Sequence, residues 1–217
     1  MTHLSAIAFA VRQALSAKGI SLSTGHTQQL IAAALGHNNL ASYQSSEDDT
    51  GLPEAADIAL DSERLQARAT KLGYDGSAFA QALTTALQAC FPDAELYDDH
   101  EAWLMDVQSH FEQAIINDGA VNSEVAMTNG TFPQADIDLP WWDADALDEH
   151  DGDDLSFDFD GLVTVDQDED RVYWGHEIEV RATLTVERFG RRLFGRRRVD
   201  VEHAELRWLG EPNESLD

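Results

Sequence analysis

Residues 177–208 read EIEVRATLTVERFGRRLFGRRRVDVEHAELRW, and they decide the fold class of this chain. Ile178, Val180, Ala182, Leu184 and Val186 alternate with Glu177, Glu179, Arg181, Thr183, Thr185 and Glu187. That period of two puts one set of side chains on each face of a half-buried strand. Six arginines follow within 11 residues: Arg188, Arg191, Arg192, Arg196, Arg197 and Arg198. They fall around Gly190 and Gly195, where a hairpin joins this strand to the next. Val199 and Val201 then keep one register while Ala204, Leu206 and Trp208 take the other, so a bulge is expected near His203. Upstream, Phe157 to Val165 supplies a partner strand, with Gly161 expected to break its phase. The C-terminal part is therefore an antiparallel meander.

Working back toward the N-terminus, the period changes to that of helices. Leu4, Ile7, Ala8, Val11, Ala14 and Leu15 recur at helical spacing, and Gly19 follows Lys18 as a stop. Ser23 or Thr24 can cap a second helix with Leu30, Ile31, Ala34 and Leu35 on its apolar face, ended by Gly36. Asn38 or Asn39 starts a short third helix through Leu40 and Tyr43. Residues 45–56, SSEDDTGLPEAA, are polar, contain Gly51 and Pro53, and have the composition of a linker. Beyond the short apolar run from Ile58 to Leu60, three more helices are expected. One is capped by Asp61 or Ser62 and ends at Gly73. Another carries Phe79, Leu83, Leu87 and Cys90 and is stopped by Pro92. The third begins near Asp98 or Asp99 and shows Trp103, Val107, Phe111 and Ile115 on one face. The expected class is α+β. It comprises a three-helix module over 1–44, the linker, a helical region over 57–122, and an acidic strip with antiparallel sheet over 123–217.

The run ISLSTGHTQQLIAAALGHNNLASYQ, preceded by AVRQALSAKG, resembles a small helical domain. That domain stands at the N-terminus of glyoxalase-superfamily-related proteins and of proteins carried on bacterial mobile elements. Leu30, Ile31, Ala32, Leu35, Gly36, His37, Leu40 and Tyr43 fill the places of its pattern, with Ile31 where a Glu is usual. The resemblance covers about a fifth of the chain and implies only a helical module. Nothing downstream resembles the repeated units of a glyoxalase domain, so no glyoxalase chemistry is implied. A helix-turn-helix reading fails on charge, because the second helix offers no Lys or Arg to phosphates.

Charge is the most unusual property of the 217-residue chain, with 41 acids against 14 bases and a formal net charge of −27. It is also segregated. Residues 1–46 contain no acid, whereas 136–170 contain 15 carboxylates and no Lys or Arg. Adaptation to concentrated salt would spread acid over every exposed surface, so the bare N-terminus speaks against it. The strip also carries Trp141, Trp142, Phe157, Phe159, Leu162, Val163 and Val165, more apolar bulk than a solvated tail needs. Binding to a phosphate backbone is disfavoured by this charge.

No motif names a reaction. HExxH, CxxC, GxSxG and a phosphate-loop glycine pattern are all missing from the sequence. His100 and His110 lie ten residues apart, which on a helix turns them roughly 280° from each other. Asp166, Asp168 and Asp170 with Glu177 copy the spacing of calcium-loop ligands, but Arg171 occupies the place where such a loop needs Gly. A solvated hairpin turn is the ordinary reading there, and the lone Cys90 is expected as a buried, inert thiol. No cofactor and no metal is expected. A single cysteine and no apolar run approaching about 20 residues fit a cytoplasmic protein without an intrachain disulfide or membrane span. The N-terminus reads as helix rather than signal peptide.

The function expected from these features is non-enzymatic. An acidic surface would occupy a basic, normally nucleic-acid-binding groove on a partner protein, without binding nucleic acid or membrane itself. Duplex DNA carries two charges per roughly 3.4 Å base-pair step, so 15 carboxylates match the phosphates of about seven to eight base pairs. With the mobile-element-like module, the specific form is an anti-defence inhibitor such as an anti-CRISPR or anti-restriction protein. The expected contacts are Trp141 and Trp142 as anchors, with Asp143, Asp145, Asp148, Glu149, Asp151, Asp153 and Asp154. Two alternatives are a structural or regulatory interaction protein of a mobile element, and an Asp-rich metal-binding protein or enzyme. The arginine hairpin would either neutralise the protein's own acidic strip or meet an anionic partner.

Overall fold

The computed structural model describes residues 2–128, 130–135, 137, 147, 154–167 and 177–207. The fold is α+β, as expected, and divides into two compact units. The first comprises Met1–Leu104, Trp142–Leu155 and Val186–Arg196, and the second Met105–Trp141, Ser156–Thr185 and Arg197–Asp217.

The first unit opens with α1 (His3–Ala17), α2 (Thr24–Ala34) and α3 (Leu40–Ser45). Their ends follow local chemistry. Ser23 accepts from the His26 amide at 3.2 Å and Asn39 from the Ser42 amide at 2.8 Å, each satisfying an otherwise orphan N–H. Past the ends of α1 and α2, Gly19 and Gly36 have φ of 78° and 82°. Then come α4 (Asp48–Gly51), β1 (Asp57–Ala59), α5 (Ser62–Leu72), α6 (Gly76–Cys90) and β2 (Glu95–Tyr97). Asp61 caps α5 and Asp75 caps α6. The core of the unit gathers Leu4, Ile7, Val11 and Leu15 from α1, Leu30, Ile31 and Ala34 from α2, and Phe79, Leu83 and Leu87 from α6.

That core corrects the expected boundaries. Residues 45–56 contain α4 instead of a linker, and Leu52 is 0 % exposed within the core. Asp49 also accepts the Leu4 amide at 2.8 Å and the His3 amide at 3.2 Å, capping α1 from 45 residues downstream. Helices from both sides of the segment thus share one interior, and 1–44 is not a module of its own. Within 57–122, expected to be helical, β1 and β2 are strands. β1 pairs parallel with β2, in the register Asp57 to Glu95 and Ala59 to Tyr97. It pairs antiparallel with the start of β6 (Leu193–Leu206), Asp57 facing Phe194. Trp103, on α7 (His100–Ile116), stacks on Phe194 with ring centroids 3.8 Å apart and donates its indole N–H to Asp57 at 3.1 Å.

The second unit holds the rest of α7, then α8 (Gly119–Met127), β3 (Gly130–Ala135) and most of β4 (Asp154–Gln167), β5 (Glu177–Gly190) and β6. α8 extends helix past the expected change of period at 123. The strand order is β2-β1-β6-β5-β4-β3; β4, β5 and β6 form the expected meander, and β3 adds an antiparallel strand that was not expected. β5 alternates as its sequence demands, with Ile178, Val180, Ala182 and Leu184 buried. In β6 the alternation slips by one residue at Glu202 and His203, where a bulge was expected. β4 differs from expectation at Gly161. Leu155, Phe157, Val163 and Val165 are all buried, so the period of two passes through the glycine unbroken. The irregularity lies in β3 instead, where register shifts between Thr131 and Pro133, the latter having no amide to donate. Phe111 of α7 meets Phe159 of β4 edge-to-face at 6.2 Å.

Candidate functional site

Two features concentrate charged groups, and they differ in solvent access. In the first unit a buried polar centre holds the turn between β5 and β6. His37, 0 % exposed, follows Gly36 at the end of α2, and its Nε2 lies 2.9 Å from Asp48 Oδ2. The same carboxylate oxygen accepts the Arg191 amide at 3.3 Å. A turn further, Asp61 caps the Arg64 amide with one oxygen. Its other oxygen pairs with the Arg64 guanidinium at 3.0 Å and the buried Arg192 guanidinium at 3.4 Å. Gly36 is required twice over. Its φ of 82° suits a residue without a side chain, and a Cβ there would stand 3.1 Å from Arg192 Cγ.

Electrostatics follow from enclosure. Burial pushes the Asp48 carboxyl up, but the hydrogen bond and charge of His37, with Ser46 and the Arg191 amide, outweigh it and hold it below the ordinary carboxylate value. Tyr43, edge-on to the His37 ring at 5.2 Å, donates to Asp49 at 3.2 Å. Burial first, then the charge and hydrogen bond of Asp49, push its phenol well above the usual tyrosine range. Ser42, His37 and Asp48 form a hydrogen-bonded chain, with Ser42 Oγ 3.3 Å from Nδ1. Nucleophilic chemistry also needs an imidazole that can reach the substrate's leaving group, and this one is wholly covered. Through the Arg191 amide on Asp48 and the Arg192 guanidinium on Asp61, the centre fastens the hairpin turn within the first unit.

The arginines of that hairpin have divided roles. Arg192 is buried against Asp61, Arg188 donates to the Leu147 carbonyl at 2.9 Å, Arg197 pairs with Asp106 at 2.6 Å, and Arg198 with Asp200 at 2.8 Å. Among the described residues, the carboxylates of these pairs, Asp61, Asp106 and Asp200, lie outside the acidic strip 136–170, whereas the Leu147 carbonyl that Arg188 reaches lies within it. None of this was legible at the level of motif, because His37 and Asp48 have no periodic relation in sequence.

In the second unit the face of the sheet opposite its buried residues is open to solvent. Among the described residues it presents Asp158, Asp160 and Asp166 from β4, Glu177 and Glu179 from β5, and Asp200, Glu202 and Glu205 from β6. Against these stand Arg181, Arg198 and Arg207. Arg181 reaches Asp160 at 3.7 Å, and Arg207 reaches Glu177 at 3.2 Å and Glu179 at 3.6 Å. Eight acids against three arginines leave the described part of the face anionic in excess, and the exposed pairs contribute only about 0–1 kcal/mol each.

Of the expected contact residues, Asp154 is exposed at the start of β4. Trp141, Trp142, Asp143, Asp145, Asp148, Glu149, Asp151 and Asp153 lie outside the described residues, as do Asp168, Asp170 and Arg171 of the calcium-like spacing. The described residues hold no group of three or more His, Cys, Asp or Glu placed to bind a metal ion, and no helix long and apolar enough to cross a membrane. Cys90 is exposed, contrary to the expected buried thiol, because it occupies the last position of α6, where the apolar face has already left the core. Comparison with protein-family models, with curated proteins and with solved structures finds no match.

Proposed function

We propose that this chain is a non-enzymatic acidic binding protein that occupies a basic, normally nucleic-acid-binding surface of a partner protein. Its specific form is an anti-defence inhibitor of the anti-CRISPR or anti-restriction kind. One observation carries the reading: 15 carboxylates without a single Lys or Arg in 136–170. The open sheet face supports it. Asp154, Asp158, Asp160 and Asp166 are exposed on the described part of that strip. Alternate residues of a strand stand roughly 6.6–6.8 Å apart, so the backbone holds their charge at set intervals. Fifteen like charges repel one another and oppose compaction, a cost that a binding role would explain.

The test is competition. The protein should displace duplex DNA from its basic partner, with fast association that weakens steeply as salt rises. Changing Asp143, Asp145, Asp148 and Asp151 together to Asn should abolish displacement while leaving Tm unchanged or raised. A quadruple variant that melts earlier yet competes normally refutes the reading, as does tight binding of the wild-type chain to naked nucleic acid at physiological salt.

A further inference from the structure

A cleft of about 440 Å³ opens in the first unit between the start of α1, the segment after α4 and the end of α6. Its volume lies in the range of pockets that bury a small ligand or one large side chain. The floor is apolar, from Ala6, Ile7 and Ala55, and the half-buried Phe91 ring forms one wall, with His3 tilted against it at 5.8 Å. At the mouth stand the exposed Asp93 carboxylate and the carboxyl end of the 15-residue α6, where the helix dipole is negative. Apolar depth with a negative rim and an aromatic face suits a long side chain that is apolar along its stem and cationic at its tip.

We infer that this cleft receives an arginine side chain of the partner protein. The inference rests on the reading of the chain as a binder of basic surfaces, and it adds a shaped pocket to a diffuse field. The arginine stem would lie on Ala6, its planar head against Phe91, and its N–H fork toward Asp93. A lysine has the charge without the planar fork, so it gains less from the same walls. Charge complementarity at the rim commits the site to this occupant: the carboxylate among the lining residues is Asp93, beside the negative end of α6, so the mouth favours a cationic tip over an acidic one.

The experiment titrates the full-length protein with hexa-arginine at physiological salt, followed by backbone amide shifts and calorimetry, with hexa-lysine as the charge-matched control. Arginine peptide should bind more tightly than lysine peptide and shift amides in 3–7, 54–55 and 90–94. Asp93→Asn, at an exposed position, should weaken it about two- to fivefold. Alkylating the exposed Cys90 with a bulky maleimide should obstruct the mouth and abolish the preference for arginine. Shifts confined to the open sheet face, with both peptides bound equally and neither change having an effect, overturn the arginine pocket while the acidic-binder reading stands. If neither peptide binds at all, both fall.

Discussion

Leu52 decides between a linker and a core. The residue follows α4 in a stretch whose composition is that of a linker, yet it is 0 % exposed and packs in the interior with α1, α2 and α6. Leu52→Ala removes three carbons from a closed site. Large-to-small changes of this kind cost about 2–5 kcal/mol, transfer and residual cavity together. For a chain of this size each kcal/mol is worth about 2–4 °C in Tm, so melting should fall by roughly 4–20 °C. Urea unfolding by circular dichroism gives the free energy, and limited proteolysis gives the location. In the wild type, cleavage near Glu47 to Glu54 should occur only with unfolding of the first unit. A loss below about 0.5 kcal/mol, with ready cleavage there leaving a folded fragment, would refute the shared core and restore the linker.

Gly36→Ala should destabilise by more than Gly19→Ala. Both positions have φ near 80° and share a left-handed cost of about 1–2 kcal/mol, but only at Gly36 does a Cβ meet Arg192, while Gly19 has open space. Equal losses in chemical denaturation would show that the Arg192 contact gives way freely. Because the Asp48 carboxyl is held below its ordinary value in the folded state, its contribution is present above about pH 4 and lost as pH falls through the folded value. Asp48→Asn should therefore flatten the stability profile below pH 4 while lowering stability at neutral pH, and an unchanged acid limb disproves the linkage. The Tyr43 phenol is raised, so its contribution is complete below about pH 10 and is lost as pH rises from there through the folded value. Tyr43→Phe should make stability less sensitive to pH above 10, read by thermal melts across that range.

The longer helices α1, α2, α5, α6 and α7 and the strands β4 to β6 were legible because their causes are local, whereas α4, β1, β2 and β3 were not. A period of two in 177–186, helical spacing with Gly19, Gly36 and Gly73 as stops, and the capping residues Ser23, Asn39 and Asp61 each act within a few residues. The slip near His203 was legible for the same reason. Total charge and its segregation are likewise properties of the sequence alone. What the tertiary structure decided is where polar residues end up. Asp48 and Asp49 have the composition of a solvated turn, but one closes on buried His37 and the other caps α1. Arg192 belongs to a cationic run, yet it is enclosed because Asp61, 131 residues earlier, compensates its charge and Gly36 leaves it room. Hydrophobic periodicity reports only which apolar side chains share a face. A buried carboxylate is stabilised by a partner brought from elsewhere in the chain, and no pattern of nearest neighbours carries that pairing.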